Sequence, residues 1–395
     1  MVAAPARNNP GLYVHVPFCS AICNYCNFNR GLYDDTLKRQ FVAAVLKEIR
    51  GQTPFFVEID RMQQIKGSDP FFPDTLYFGG GTPSLLAPDD IAAIVNEART
   101  SFGLTPDAEV TLEANPETVS EDSLEHFRRA GVNRLSFGIQ SFRDEELQRL
   151  GRQHSAERAV QAVGMARAAG FDNVSIDLMM WLPGQDVPQW LTSVEKAIRV
   201  GPDHVSLYIL EVYPNLPLRQ EIDRNGWAQE PEDGAADMYE SAMEMLDRAG
   251  YQQYEISNVS RPGRESRHNL KYWTDGDWLG FGPGAHSTWR GTRWRNTAAT
   301  ADYIQKIAAD DHATADRRTL SNDERLGDAL FTGLRLTCGV DIVNMSERYD
   351  VDVWQRFGAR LTPYLDAGIL CRRDTRLRLT RRGMLLANEV MSVFV

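Results

Sequence analysis

Basic charge, cysteine and long apolar runs are all scarce in this chain. Its 395 residues carry 43 Lys and Arg against 54 Asp and Glu, a net charge of −11, which argues against a general nucleic-acid surface. No uncharged apolar stretch approaches the ~20 residues needed to cross a bilayer. The opening Met1-Val-Ala-Ala-Pro-Ala-Arg lacks the apolar core of a signal peptide, so a cytoplasmic protein is expected. Five cysteines are too few for a disulfide framework and suit a reducing compartment. Low-complexity segments are missing too. The length allows a large core, in one big domain plus a smaller one.

Three of the five cysteines stand in one short run, Cys19-Ser-Ala-Ile-Cys23-Asn-Tyr-Cys26, directly after the strand-like Leu12–Val16. Structural zinc or a closed cluster wants a fourth protein ligand nearby. Positions 27 to 30 read Asn-Phe-Asn-Arg, and Cys338 and Cys371 lie far downstream. Three thiolates suit a four-iron cluster that leaves one iron free for a substrate or cofactor. A redox dithiol would not call for the third cysteine. Three cysteines lining one helical face is the blander reading, against which Pro17 and the Asn/Tyr/Phe surroundings speak.

From about residue 12 to 260, short apolar runs alternate with amphipathic stretches. The expected strands are Leu12–Val16, Thr75–Phe78, Glu109–Glu113, Arg134–Gly138, Asn173–Leu178 and His204–Leu210. Helices are expected between them, several ending at a glycine (Gly131, Gly170, Gly250) that suits a left-handed cap. Thr53–Phe72 reads as an extension of the first crossover. Six strand–helix units imply parallel strands with right-handed crossovers, an α/β fold closing partway or fully into a barrel. Residues 261–300 are Gly-, Trp- and Arg-rich and read as a connecting segment; Arg261, Arg264 and Arg267 there are candidates for a local basic pocket. Residues 301–395 read as a mainly helical, winged-helix-like domain.

In such barrels chemistry gathers where strands end, and the unusual polar residues fall there. Gly79-Gly80-Gly81-Thr82 follows the second strand, Glu113 ends the third and Gln140 follows the fourth. Asp177 lies near the end of the fifth, Glu211 follows the sixth, and Arg152 stands in Leu-Gly-Arg-Gln-His. Glycines let backbone approach a ligand, although a tight turn explains such a run equally. Glu113, Gln140 and Arg152 offer an ammonium acceptor, an amide and a cation for a carboxylate. Asp177 would be costly to bury unpaired; ribose hydroxyls are natural partners, a structural salt bridge the alternative.

Cys-x3-Cys-x2-Cys resembles the cluster signature of the radical S-adenosylmethionine enzymes. Tyr13-Val-His-Val-Pro-Phe-Cys19, the Gly-Gly-Gly-Thr-Pro loop, Leu-Glu-Ala-Asn-Pro116, Asn133-Arg-Leu-Ser-Phe-Gly-Ile-Gln and Leu182-Pro-Gly-Gln185 resemble, within it, the oxygen-independent coproporphyrinogen oxidase (HemN-like) group over nearly the whole chain. The resemblance implies a partial (β/α)6 TIM-like barrel over residues 1–260. It implies a [4Fe-4S] cluster on Cys19, Cys23 and Cys26. It places S-adenosylmethionine against Tyr13, Tyr25, Gly80, Gly81, Thr82, Glu113, Gln140, Arg152 and Asp177. The oxidases carry a further cysteine where this chain has Phe28, and His268-Asn-Leu-Lys-Tyr-Trp273 matches an element of the haem-chaperone (HemW) subgroup. Asn27, where Asp is usual, and Trp181 depart from the pattern.

That subgroup implies haem as cargo, with His268, Tyr272 and Trp273 at its site and Arg264 and Arg267 facing its propionates. His268 is equally a hydrogen-bonded structural residue, and His15 and His286 are rival ligands. Implied partners are apo-haemoproteins of the respiratory chain and an electron donor for the cluster, with a homodimer and a peripheral membrane contact also allowed and nucleic acid excluded. The rival reading is a radical enzyme acting on a porphyrin or another aromatic substrate by decarboxylation, methyl transfer or haem breakdown. A cofactor-bound scaffold without a haem role is the third.

Overall fold

The computed structural model describes residues 9–64 and 72–395, the side chains of 53–64 excepted. The N-terminal residues 1–8 and the latter part of the expected insertion, 65–71, lie outside the described residues.

Six strands form in the expected order: β1 (Gly11–Val16), β2 (Thr75–Gly80), β3 (Glu109–Ala114), β4 (Arg134–Gln140), β5 (Val174–Met180) and β6 (His204–Ile209). Each pairs in parallel with the next. Leu76, Phe78, Val110, Leu112, Leu135, Phe137, Ile176 and Leu178 are all buried, as strands covered on both faces require. The covering helices carry matching apolar stripes. In Pro88–Phe102, Ile91, Ile94, Val95, Ala98 and Phe102 are buried, and the helix stops at Gly103, whose φ of 64° is left-handed. The glycines expected to close helices, Gly131, Gly170 and Gly250, all have positive φ. The first crossover helix, Asp35–Gln64, runs 30 residues.

The sheet continues past β6. β7 (Gln252–Glu255) and β8 (Asn258–Ser260) extend it antiparallel beyond β6. At the other edge, β9 (Trp278–Phe281) pairs in parallel with β1, Leu12 facing Leu279. β10 (His286–Trp289), β11 (Thr292–Asn296) and β12 (Thr314–Thr319) follow antiparallel. The stretch read as a connector from its glycines thus supplies a seventh parallel strand and two more. The strand order is β12-β11-β10-β9-β1-β2-β3-β4-β5-β6-β8-β7, twelve strands in an open, mixed sheet.

The C-terminal region is mainly helical. Helix Val353–Asp366 leads into a hairpin of β14 (Leu370–Arg373) and β15 (Arg376–Leu379), and β13 (Val340–Asp341) joins β15 as a third strand. Leu326, Leu330, Leu361, Val390 and Phe394 belong to the same continuous apolar cluster as Phe41, Phe78 and Trp190, so this region packs on the barrel as part of one core. Among the described residues, no helix is long and apolar enough to cross a membrane.

Candidate cofactor site

After β1, Phe18–Cys19 pairs briefly in parallel with Gly31–Leu32, and from Ser20 on the cysteine run is not helical, as Pro17 and the Asn/Tyr/Phe surroundings predict. It is pinned at both ends. Gly31 N–H donates to Pro17 O (2.7 Å) and Tyr33 N–H to Cys19 O (2.9 Å), closing the loop at its base. Asn24 Nδ2 donates to Arg149 O (2.7 Å) and Glu221 Oε2 (2.8 Å). Asn29 Nδ2 donates to Pro283 O (3.0 Å) and Ala298 O (2.9 Å). His15 Nε2 is 2.7 Å from Asn29 O and its Nδ1 is 3.1 Å from Tyr13 Oη, so both ring nitrogens are taken up in holding the loop.

All three thiols are free and line one cavity of about 520 Å³ at the C-terminal ends of the parallel strands, a volume usual for a small-molecule site. Tyr25, Gly80, Gly81, Thr82, Glu113, Gln140, Arg152 and Asp177 line it as well. Tyr13 does not; it sits one layer below, packed on Tyr77. Among the described residues no three His, Cys, Asp or Glu side chains converge on a single-ion site. The three-thiol lining matches the cluster that the resemblance implies. The chemistry of the surroundings fits the rest. Glu113 and Asp177 are partly buried carboxylates pushed up to about 7 and about 6, chiefly by loss of hydration. Such groups await a cation or hydroxyl donors. Arg152 donates from Nη2 to Asn115 Oδ1 and Gly138 O (both 2.7 Å) and from Nη1 to Cys23 Sγ (3.4 Å), facing the thiol run with positive charge. Burial raises the Cys19 thiol, opposed by a hydrogen bond from Thr82.

The glycine loop owes its glycines to the neighbouring strand. A Cβ on Gly81 would stand 2.6 Å from Phe18 O, and one on Gly80, at φ 114°, would stand 2.7 Å from the His15 ring. Close approach of β1 and β2, carried by Gly81 N–H to Val16 O (2.7 Å) and Thr82 N–H to Phe18 O (2.7 Å), is what brings the cysteine loop over the cavity. Gln140 has φ 69° at the irregular end of β4, and Trp181 has φ 62° just beyond β5; non-glycine residues in this region are uncommon outside turns and functional sites.

Three contributors are not evident from the sequence. Tyr77 donates to Glu113 Oε1 (2.7 Å). Asn115 receives Arg152 and donates to Thr82 Oγ1 (3.2 Å). Arg134 is 1% exposed and lowers both Glu113 and Asp177 against the desolvation that raises them. Asn115 belongs to the Leu-Glu-Ala-Asn-Pro motif; an arginine inside a strand that is otherwise buried was the available sign for Arg134. The cavity mouth carries exposed Ile22, Phe28, Tyr208, Ile209 and Tyr213, an apolar rim.

The residues read as haem-facing lie elsewhere. His268, on the short helix Arg267–Trp273, is 1% exposed beneath the barrel at the N-terminal strand ends. Its Nδ1 is 2.8 Å from Thr75 Oγ1 and its Nε2 2.8 Å from Tyr272 Oη. It stacks on Tyr77 at 5.2 Å. Desolvation lowers its pKa to about 3, keeping it neutral. Both ring nitrogens therefore face hydroxyls in this packing. The arginines do not form a shared basic pocket either. Arg261 lies over the Tyr251 ring (4.3 Å), Arg264 pairs with Asp172 (3.5 Å) and Arg267 with Asp74 (3.0 Å). His286 is exposed on β10.

A family model described as the Radical SAM superfamily matches residues 13–197, and one described as the HemN C-terminal domain matches residues 320–386. The molecule is therefore a radical S-adenosylmethionine protein with a HemN-type C-terminal domain, a class that implies a [4Fe-4S] cluster and S-adenosylmethionine. The solved coproporphyrinogen III oxidase HemN of Escherichia coli shares the fold, with a TM-score of 0.84 over 99% of this chain and 91% of that one, at 23% identity. The chain is 33% identical over 384 residues to the heme chaperone HemW of Bacillus subtilis (strain 168), covering 97% of this chain and 98% of the relative. Against the heme chaperone HemW of Mycobacterium tuberculosis (strain ATCC 25618 / H37Rv) it is 35% identical over 395 residues, covering 98% and 95%. It is also 35% identical over 403 residues to the mitochondrial radical S-adenosyl methionine domain-containing protein 1 of Bos taurus, covering 98% and 88%. On these full-length likenesses the chain belongs to the HemW family.

Proposed function

We propose that this protein is a haem chaperone: it binds haem, a [4Fe-4S] cluster and S-adenosylmethionine, and delivers haem to apo-haemoproteins. The observation that carries the reading is likeness along the whole chain, C-terminal region included, to proteins named heme chaperone. Cys19, Cys23 and Cys26 would hold the cluster. Glu113 would accept the cofactor's ammonium, Asp177 its ribose hydroxyls, and Arg152 its carboxylate, with Tyr25 against the adenine. The cluster supplies one-electron reduction of the bound cofactor when both are present. The same cavity would also suit radical chemistry on S-adenosylmethionine, so a radical enzyme acting on a porphyrin is the second reading.

One pair of assays separates them. After anaerobic reconstitution, the protein should bind haem in an absorbance titration and pass it to an apo-cytochrome. Given reductant, S-adenosylmethionine and coproporphyrinogen III, it should release no protoporphyrinogen. Turnover of the porphyrinogen, or a failure to bind and transfer haem, sinks the chaperone reading.

A further inference from the structure

Beneath the cofactor cavity, Arg134 of β4 brings a guanidinium into the barrel interior. It is 1% exposed, and among the described residues it makes no hydrogen bond or ion pair; its Nε is buried without a partner. Thr111 is its register partner on β3 and shares its face, and Thr111 Oγ1 is buried without a partner as well. A cation held this deep costs several kcal/mol unless opposite charge compensates it.

Strand register supplies that charge. Two residues beyond the Thr111–Arg134 pair, on the same inward face, stand Glu113 and Ser136. Ser136 Oγ is 3.4 Å from Asp177 Oδ1 on β5, and Glu113, Ser136 and Asp177 all line the cavity. Neither carboxyl is within ion-pair distance of Arg134, yet its charge opposes the rise that desolvation imposes on both, as it can across an interior of low dielectric. The other groups nearby do not compete for it. Burial keeps His204 and His268 neutral, and Tyr13, Tyr77, Tyr208, Tyr254 and Tyr272 are raised and neutral too. Glu109 accepts the backbone N–H groups of Arg267 and His268, and Glu255 pairs with Arg335 (3.0 Å). Arg152, the second cation acting on Asp177, is turned to Cys23 and Asn115.

We infer that Arg134 is a positioning residue of the cofactor site, a buried counter-ion that holds Glu113 and Asp177 as carboxylates ready for the ammonium and ribose hydroxyls of S-adenosylmethionine. The inference rests on the cofactor roles proposed above for those two residues. Arg134 works through the two carboxyls. Its positive charge also repels the cofactor's sulfonium, so removing it has two opposed effects. At neutral pH the loss of carboxylate weakens binding. At alkaline pH, where both carboxyls ionise regardless, the loss of repulsion strengthens it.

The test uses the full chain with its cluster reconstituted, and measures S-adenosylmethionine affinity by equilibrium dialysis from pH 6 to 9. Arg134→Gln should bind about tenfold more weakly than wild type at pH 7, equivalent to one pKa unit on the carboxyls, and at least as tightly at pH 9. Arg134→Lys should restore the wild-type profile. The ligand's own ionisation is common to all three proteins and cancels in the ratios. A cofactor-free measurement at pH 8 accompanies it: Arg134→Gln should lower the urea midpoint of wild type but not that of Glu113→Gln/Asp177→Asn, where the guanidinium has no carboxylate to offset it. An affinity ratio that is the same at every pH, or equal losses of midpoint in both backgrounds, overturns the inference, as does failure of Arg134→Gln to fold in both. Either result leaves the cofactor assignment standing if wild type binds S-adenosylmethionine. No binding by wild type overturns both.

Discussion

Glu113 shows how a single residue carries both cost and purpose. Its carboxyl is held by Tyr77 and by Gly80 N–H (3.2 Å) yet remains raised to about 7 by burial. A carboxyl whose folded pKa lies above its unfolded value of about 4.3 gives up stability as pH rises between the two. In the protein free of cofactor, Glu113→Gln should therefore match wild type near pH 4 and exceed it above pH 7, by on the order of 2 kcal/mol. Urea midpoints at the two pH values check this, and an equal difference at both would contradict it. With S-adenosylmethionine added, the same substitution should weaken cofactor binding most at alkaline pH, where the wild-type carboxylate is charged. The residue was legible in the sequence because it ends a strand beside an apolar run. Its partners Tyr77 and Arg134 were not, since a tyrosine or arginine in a strand does not disclose which face it occupies until the neighbours are placed.

At the scale of elements, the helix Arg267–Trp273 is the instructive case. Its sequence, Arg-His-Asn-Leu-Lys-Tyr-Trp, reads as a cofactor motif, and His268 is the natural ligand candidate. In the structure that histidine is held by its packing. Glu109 Oε1 accepts its backbone N–H (3.0 Å), Thr75 and Tyr272 take its ring, and Tyr77 stacks on it. His268→Ala should cost about 2–4 kcal/mol by opening a cavity and stranding two hydroxyls. In thermal denaturation it should lower the midpoint, while any haem that still binds should keep the wild-type spectrum. A spectral change at the iron with an unchanged midpoint would restore ligation to His268. The cysteine loop is the opposite case, because three thiols in eight residues, Cys19 to Cys26, need no distant partner to be recognised.

Across the whole molecule, barrel, sheet extension and C-terminal region share one core, and Glu48 helps fasten them. Buried on the first helix, it accepts from Gly282 N–H (2.9 Å), Tyr303 Oη (2.7 Å) and Asn296 Nδ2 (2.6 Å). Burial raises its carboxyl to about 7. Glu48→Ala removes the acceptor of these bonds and of one from Gln52 Nε2 (3.2 Å), and should destabilise the protein by about 2–4 kcal/mol. Glu48→Gln, which keeps one acceptor and removes a buried charge, should cost less. The order of the two urea midpoints is the check, and equal midpoints would show that water replaces the carboxylate freely.

Periodicity and spacing alone determined the six parallel strands, most helix ends and the three-thiol run, because each rests on residues near one another in the chain: apolar alternation, a capping glycine, three thiols in one loop. Only the tertiary structure decided that residues 278–296 extend the sheet beside β1, that His268 faces inward, and that Trp273 and Cys338 line one cleft. Those facts depend on which distant segments come into contact, and a hydrogen bond such as His268 to Thr75 spans 193 positions of the chain. Local sequence states what a residue can do. The contacts made when the core closes state which of those things it does.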